Sequence, residues 1–399
     1  MQNENYLYKM KKSITREIEH SFFEELAQSP IVAILGPKQS GKTSFVNVVI
    51  NKIDDVQYFN LKKWEHLEAL YAAEKIFKTT QQVVFCIDNI HLAPELLSVI
   101  GTLVRTRTTQ ARFVVVGIMA KEQFRQILSD VATFSIFPLT GLTLQELFHP
   151  LDFSITRHWL RGGFPESYFA TSDTTSAVWR ENYLKHLIEN DNSKLGIYLS
   201  GMQMYRLLNI FARSQSECLN ASKIAEVFQV THPTIRRYVE MLECSYFMRL
   251  LPPYSAKTKR RIVKTPKLYI RDTGMLHKLL SINDMETLRQ HPLRLASWKG
   301  YVIENLLASF PDWKGCFYES IAGEHLDLVM LKGKQKIAVK VVLSTTNITD
   351  HYQNAINDIF PDYTYIVSAS SVTQWRENNN LIICTLPELM EHLKGMSEQ

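Results

Sequence analysis

Eight consecutive residues, GPKQSGKT from Gly36 to Thr43, have the spacing G-x-x-x-x-G-K-[ST]. Glycines at the ends of such a loop let backbone amides turn inward and wrap phosphate oxygens, and a following helix adds the partial positive charge of its N-terminus. In this pattern Lys42 reaches the β- and γ-phosphates and the Thr43 hydroxyl ligates magnesium. Gly36, Pro37, Lys38, Gln39, Ser40, Gly41, Lys42, Thr43 and Ser44 are therefore the expected cradle for ATP and Mg2+. A second chemical signal lies at "VVFCIDNIHL" (83–92), where an apolar run ends in Asp88. A strand ending this way delivers a carboxylate to a nucleotide-bound magnesium or its water; the other reading is a capping Asp before the segment that opens at Pro94. Many ATPases follow this Asp with an acid that activates water. Here the residue is Asn89, which can orient a water but cannot accept its proton, so fast intrinsic turnover is disfavoured. Lys42, Asp88 and Asn89 are the expected catalytic set, with Thr43 and Asp88 on the metal.

These residues need a strand–loop–helix frame, and the flanking sequence supplies one. IVAIL (31–35) reads as a buried strand and SFVNVVINKI as the helix after the loop. VQYFNL (56–61), QVVFCIDNI (82–90), ARFVVVGIM (111–119) and FSIFPL (134–139) continue the strands, with helical stretches between them. Alternating strand and helix predicts a mostly parallel sheet covered on both faces, with ligand at the C-terminal strand ends.

Composition sets outer bounds. The 399 residues favour two to four domains, and 45% hydrophobic with 21% charged residues is an ordinary globular balance. A net charge of +5 is compatible with nucleic acid without being diagnostic. The five cysteines are scattered with no CxxC pair, which argues against a zinc site or disulfide framework and for free thiols in a reducing cytosol. The polar N-terminus is no signal peptide, and no apolar run reaches the roughly 18–20 residues of a membrane span. A cytoplasmic protein is expected.

Further along, "LRGGFPESY" (160–168) marks a tight turn beside a helix, and WRENYLKHLIENDN (179–192) places Trp179, Tyr183 and Leu187 on one helical face. The order of motifs resembles the bacterial and archaeal AAA-type ATPases that carry an uncharacterised C-terminal domain. "SITREI" (13–18), "ILGPKQSGKT", "FPLTGLTLQELF", "LRGGFPESY", "WRENYLKHLIEND" and "TPKLYIRDTGML" (265–276) carry that resemblance, which runs along most of the chain. The chain departs from the family's pattern at three places. Asn89 replaces the usual Glu, Val116 and Ile118 stand where a polar γ-phosphate sensor is usual, and "SDVATFSIF" lacks an arginine before the fifth strand. Arg161 in the lid motif is either a phosphate contact or a structural arginine.

Residues 206–253 read as a helix-turn-helix. "NASKIAEVF" is the second helix, Thr231 to Thr234 open the third, and a β-wing follows. Arg236 and Arg237 project from the third helix. "SAKTKRRIVKTPK" (255–267) adds a basic strip without an acid. A DNA-binding reading puts the helix in the major groove and Lys257, Lys259, Arg260 and Arg261 on phosphate; the alternative is a packing or protein-interaction module.

Residues 298–345 resemble a restriction-endonuclease-like core, D-x(n)-[DE]-x-K, with Glu304, Asp327 and Lys340 in place. Ala338 fills the slot of the middle acid, and His325 aligns with another usual acid. Such a core needs two carboxylates for its metal, so this one is expected to be inactive; its positions could still form a nucleic-acid or protein-binding face, and the other reading of Asp327 and Lys340 is a plain cross-strand ion pair. The fold expected is α/β: an AAA-type P-loop ATPase core (1–149), a helical lid (150–205), a winged helix (206–285) and a nuclease-like α/β domain (286–399). The function expected is ATP and Mg2+ binding with weak or partner-dependent hydrolysis, as a switch acting on duplex DNA. The alternative is a nucleotide-binding protein-interaction module, with a protein partner or self-association and no membrane.

Overall fold

The computed structural model describes residues 14–70, 73–79, 83–148, 153–191, 197–255, 260–345, 352–370 and 380–397. They form two compact units, one running to Leu142 and including Glu243–Tyr246, the other comprising Thr143–Leu242 and the chain from Phe247.

The first unit is built on five strands: β1 (Ile31–Leu35), β2 (Val56–Asn60), β3 (Val84–Asp88), β4 (Arg112–Gly117) and β5 (Ser135–Pro138). All pair in parallel, in the order β2-β3-β4-β1-β5. Side chains alternate across a strand, so β1 sends Ile31, Ala33 and Leu35 into one core and Val32 and Ile34 into the other. β1 and β3 are buried along their whole length, as strands covered on both faces must be. On one face Phe77 packs edge-on to Phe85 at 4.7 Å and to Phe113 at 5.0 Å. The connection order reverses at β1, and the loop 36–41 leaves from its C-terminal end, where ligands of open α/β sheets bind.

The second unit carries the helices Gly201–Arg213 and Ala221–Phe228 and most of the helix His232–Cys244, followed by the antiparallel pair β6 (Met248–Leu251) and β7 (Lys267–Ile270). Ser200 closes a capping box with Gln203, and Asn220 accepts the Lys223 N–H, so both helix starts are satisfied by side chains. A second sheet has the order β12-β11-β10-β9-β8, with β8 Lys314–Glu319, β9 His325–Lys332, β10 Gln335–Val342, β11 Tyr363–Ser368 and β12 Leu381–Thr385. β8, β9 and β10 are antiparallel, whereas β10, β11 and β12 are parallel. The helix Gln353–Ile359 lies between β10 and β11 in sequence. The helix Arg294–Ser309 packs Trp298, Val302 and Leu306 into the same core as Leu328, Met330, Ile337 and Val339 of the sheet.

That core also takes Trp159 and Leu160 of the lid segment and Leu251 and Tyr269 of the β6–β7 pair. The three segments expected after residue 149 thus share apolar cores. The chain between β6 and β7 returns along the second sheet: Tyr254 N–H donates to the Phe317 carbonyl at 2.7 Å and Val263 N–H to that of Glu319 at 2.9 Å.

Candidate functional site

At the end of β1 the chain has little room. A Cβ on Gly36 would lie 2.0 Å from the Leu139 carbonyl oxygen, and Gly41 sits at φ 93°, a left-handed conformation that side chains resist. These two glycines permit the turn that starts the helix Lys42–Ile50. Inside the turn the Lys42 ammonium donates to the Gly36 carbonyl at 3.0 Å and also to that of Pro37. Arg16, upstream of β1, braces the loop from outside by donating to the Ser40 carbonyl at 3.0 Å and to those of Thr140 and Gly141 at 3.2 and 3.3 Å.

β3 brings Asp88 beside the loop. The Thr43 hydroxyl donates to Asp88 Oδ2 at 2.8 Å, and the Tyr58 hydroxyl of β2 donates to the same oxygen at 3.1 Å. Asn89 N–H donates to Asp88 Oδ1 at 2.8 Å, with Asn89 itself in the left-handed region at φ 65°. The Asn89 side-chain amide donates to Asn60 Oδ1 at 3.0 Å, Asn60 being the register partner of Asp88. Asp88 is 2% exposed, and the capping alternative finds no support, because Pro94 stands at the start of the next α-helix with no side-chain cap.

Cations converge here. Burial pushes the Lys42 ammonium down to about 7, with Lys62 and Arg16 lowering it further and Asp88 opposing. His91 is pushed down to about 4 by burial and by Lys42, Lys62 and Lys38, so its ring is neutral. His91 Nδ1 lies 3.5 Å from the Ile118 nitrogen and so brings a polar ring to the end of β4, where Val116 and Ile118 offer none. Ser40 Oγ is fully buried and has no hydrogen-bond partner in this loop. A buried hydroxyl left so costs about 1–3 kcal/mol, and an incoming phosphate oxygen would relieve it. The hydroxyl of Thr43 and the carboxylate of Asp88 are adjacent hard oxygen donors, which fits magnesium, a metal that takes few protein ligands and completes its shell with phosphate and water. Among the described residues no group of three or more His, Cys, Asp or Glu is placed to hold a metal.

The remaining candidates fall in the second unit. Arg161 is 9% exposed and used within the fold, donating to Asp173 at 2.7 Å and to the carbonyls of Tyr168 and Ala170. Asp272 of the RDTG motif accepts the Gly163 and Met275 N–H groups, which ties the lid motif to the C-terminal signature. Arg236 and Arg237 are exposed on the helix His232–Cys244, and the Arg237 guanidinium lies 6.0 Å from the Tyr198 ring. Arg261 is exposed, but Arg260 lies 3.7 Å from both Glu324 and Asp358. Lys257 and Lys259 lie outside the described residues.

Of the nuclease-like set, Asp327, Lys340 and His325 meet. Lys340 Nζ is 3.7 Å from Asp327 Oδ2 and 2.5 Å from His325 Nε2. Lys299 Nζ, which sequence reasoning did not single out, is 2.7 Å from Asp327 Oδ1. Glu304 is engaged elsewhere, by Arg249 at 2.9 Å and Arg271 at 2.7 Å. Ala338 is completely buried. Sequence reasoning also passed over Tyr58, Asn60, Arg16, Lys62 and His91.

Residues 28–148 match the family described as AAA domain, and residues 152–286 match a domain of unknown function. Uncharacterised proteins of Mycobacterium tuberculosis and Mycobacterium bovis are each 29% identical over 337 residues, covering 84% of this chain and 75% of the relative. Among solved structures, a Walker-type ATPase of Pyrococcus abyssi is 12% identical, covers 67% of this chain and 96% of its own, and superposes with a TM-score of 0.45. The RuvB Holliday junction branch migration motor of Thermotoga maritima is 16% identical over 60% of this chain and 90% of its own, with a TM-score of 0.29. The parallel sheet, the phosphate loop and the AAA match together make the N-terminal region an AAA-type P-loop ATPase domain. No helix among the described residues is long and apolar enough to cross a membrane.

Proposed function

We propose that the chain binds ATP with magnesium in the loop 36–43, hydrolyses it slowly unless a partner assists, and uses the bound state as a switch acting on duplex DNA in the cytoplasm. The observation that carries the nucleotide half is the 2.8 Å contact between Thr43 and Asp88, beside a Lys42 ammonium held in the loop. Lys42 would exchange its bonds to the Gly36 and Pro37 carbonyls for phosphate oxygens and regain full charge. Thr43 and Asp88 would hold the magnesium, which when bound neutralises charge on the β- and γ-phosphates. Asn89, fixed by Asn60, would orient a water through its side-chain carbonyl but leave it without a proton acceptor, which keeps turnover low.

The DNA half rests on topology and charge. Three helices followed by an antiparallel strand pair support a winged helix, with Arg236 and Arg237 on the outer face of its third helix. A helix, three antiparallel strands, a helix and a parallel strand support a restriction-endonuclease-like core, and Ala338 with the occupied Asp327 and Glu304 supports its being inactive. The engagement of Arg260 by Glu324 and Asp358 favours the second reading, a nucleotide-controlled protein-interaction module. Salt-dependent duplex binding separates the two. The nucleotide half is tested by calorimetry: Lys42→Ala should weaken ATP binding about 100-fold, the loss of roughly two charge-assisted contacts at 1.5–3 kcal/mol each being partly offset. Equal affinities would overturn it.

A further inference from the structure

Asp327 and Lys340 face each other where β9 and β10 part. The ladder between these strands ends at Val339–Leu328, and beyond it the Asp327 carboxylate itself takes the Val341 N–H at 2.8 Å. The other carboxylate oxygen is taken by Lys299, from the helix Arg294–Ser309, at 2.7 Å. An ammonium therefore already sits against the oxygen that a metal would need, and the second carboxylate of such a metal site is Ala338. Two lysines face one carboxylate. His325 adds no charge of its own: its Nε2 faces the Lys340 ammonium at 2.5 Å, its Nδ1 the Gly323 carbonyl at 3.2 Å, and burial and Lys340 both disfavour its charged form.

The order of exposure matters. The Asp327 side chain is 1% exposed, whereas those of Lys340 and Lys299 are 10% and 14% exposed. Both lysine side chains are thus a little more exposed than the acid they face. Each ammonium has three N–H donors, and among the described residues Lys299 spends one on Asp327. An excess cation in a partly dry recess, with donors to spare, selects an anion with several oxygens.

We propose that the Lys299–Asp327–Lys340 recess is a metal-independent site for a phosphoryl group, taken from a backbone phosphodiester of duplex DNA, with the Lys299 ammonium standing where a nuclease would hold its cation. The proposal rests on the DNA-binding reading for its source of phosphate, though not for its chemistry; free inorganic phosphate would offer the same oxygens. No bond is made or broken in the recess.

The test uses the full chain in EDTA, a duplex of about 20 base pairs, and inorganic phosphate in a parallel titration. Wild type should bind the duplex equally well with and without magnesium. Lys299→Gln should lower that affinity several-fold and reduce the slope of log affinity against log salt by about 0.9, the share of one phosphate contact. Lys299→Arg, which keeps the charge, should restore both, and comparable thermal melting of the two variants should exclude misfolding as the cause. Duplex binding that is salt-dependent but indifferent to Lys299→Gln overturns this proposal and leaves the DNA reading standing. Absence of duplex binding by wild type overturns the DNA reading, and the phosphate titration then decides the recess: Lys299-dependent phosphate binding supports an anion site, and none overturns it. Manganese binding by wild type, lost on Asp327→Asn, would also overturn it.

Discussion

Asp88 and Asp327 are both buried carboxylates on sheet strands, 2% and 1% exposed, and their neighbours make them opposites. Asp88 is met by the hydroxyls of Thr43 and Tyr58 and one backbone N–H, with Lys42 held nearby by carbonyls. Its partners are neutral, so its charge remains available to a cation, and the surrounding ammoniums remain available to phosphate. Asp327 is met by Lys299 and Lys340, two cations the chain supplies for itself. The same residue type is placed to meet a cation in one setting and is an internal counter-ion in the other. What decides is whether the neighbouring donors are hydroxyls or ammoniums.

The largest effect should come from removing the internal counter-ion. Asp327→Ala leaves Lys299 and Lys340 facing each other in a recess, and breaking a buried pair this way typically costs about 3–5 kcal/mol. Urea unfolding at pH 7 measures it; a loss under about 1 kcal/mol would mean that the pair is solvated. Acid sharpens the point. The two lysines hold the Asp327 carboxyl well below its ordinary range against the cost of burial. A depressed carboxylate contributes stability above its unfolded value, near 3.9, and that contribution disappears as pH falls toward its folded value. Wild type should therefore lose more stability between pH 5 and 3 than Asp327→Asn does.

On the nucleotide side, Asn89→Glu supplies the missing proton acceptor. A general base contributes about 10²–10⁴-fold, but the second strand holds Asn60 beside position 89 and the stretch 129–134 just before β5 has no arginine, so a gain nearer tenfold is expected in steady-state ATPase assays. No gain at all would mean that water is positioned by another group. A further effect concerns pH. Lys42 is lowered to about 7 in the free protein, and phosphate should raise it. Binding then takes up a proton above pH 7, so ATP affinity should fall as pH rises, by at most tenfold per unit. Lys42→Arg, which does not titrate in this range, should flatten the profile measured by calorimetry from pH 7.5 to 9.

The two regions also differ in how far sequence reveals them. The loop 36–43 is contiguous and its glycines, lysine and threonine act through local geometry, so pattern alone locates it. Asp88 follows from the uninterrupted apolar run that it ends. Tyr58 and Asn60 do not, because their role depends on which strands are neighbours and in what register, and VQYFNL reads only as one more strand. Lys299 shows the same limit. It lies in the helical segment that also holds Glu304, but five residues at about 100° each put the two about 140° apart around the helix. Lys299 therefore meets Asp327 while Glu304 meets Arg249 and Arg271. Attention to helical phase would have separated them. Arg260 reads as part of an unopposed basic strip because its acidic partners, Glu324 and Asp358, come from distant segments.

The site proposed for the loop 36–43 holds ATP well and turns it over poorly. The direct measurement is ATP turnover by the full chain in magnesium, with and without duplex DNA, at concentrations where calorimetry shows the site filled. The expected result is a rate well below about 1 s⁻¹ alone, the low end of ordinary enzyme turnover, with an increase when duplex is added. A rate of about 1 s⁻¹ or more from the chain alone would contradict it and require a proton acceptor other than Asn89.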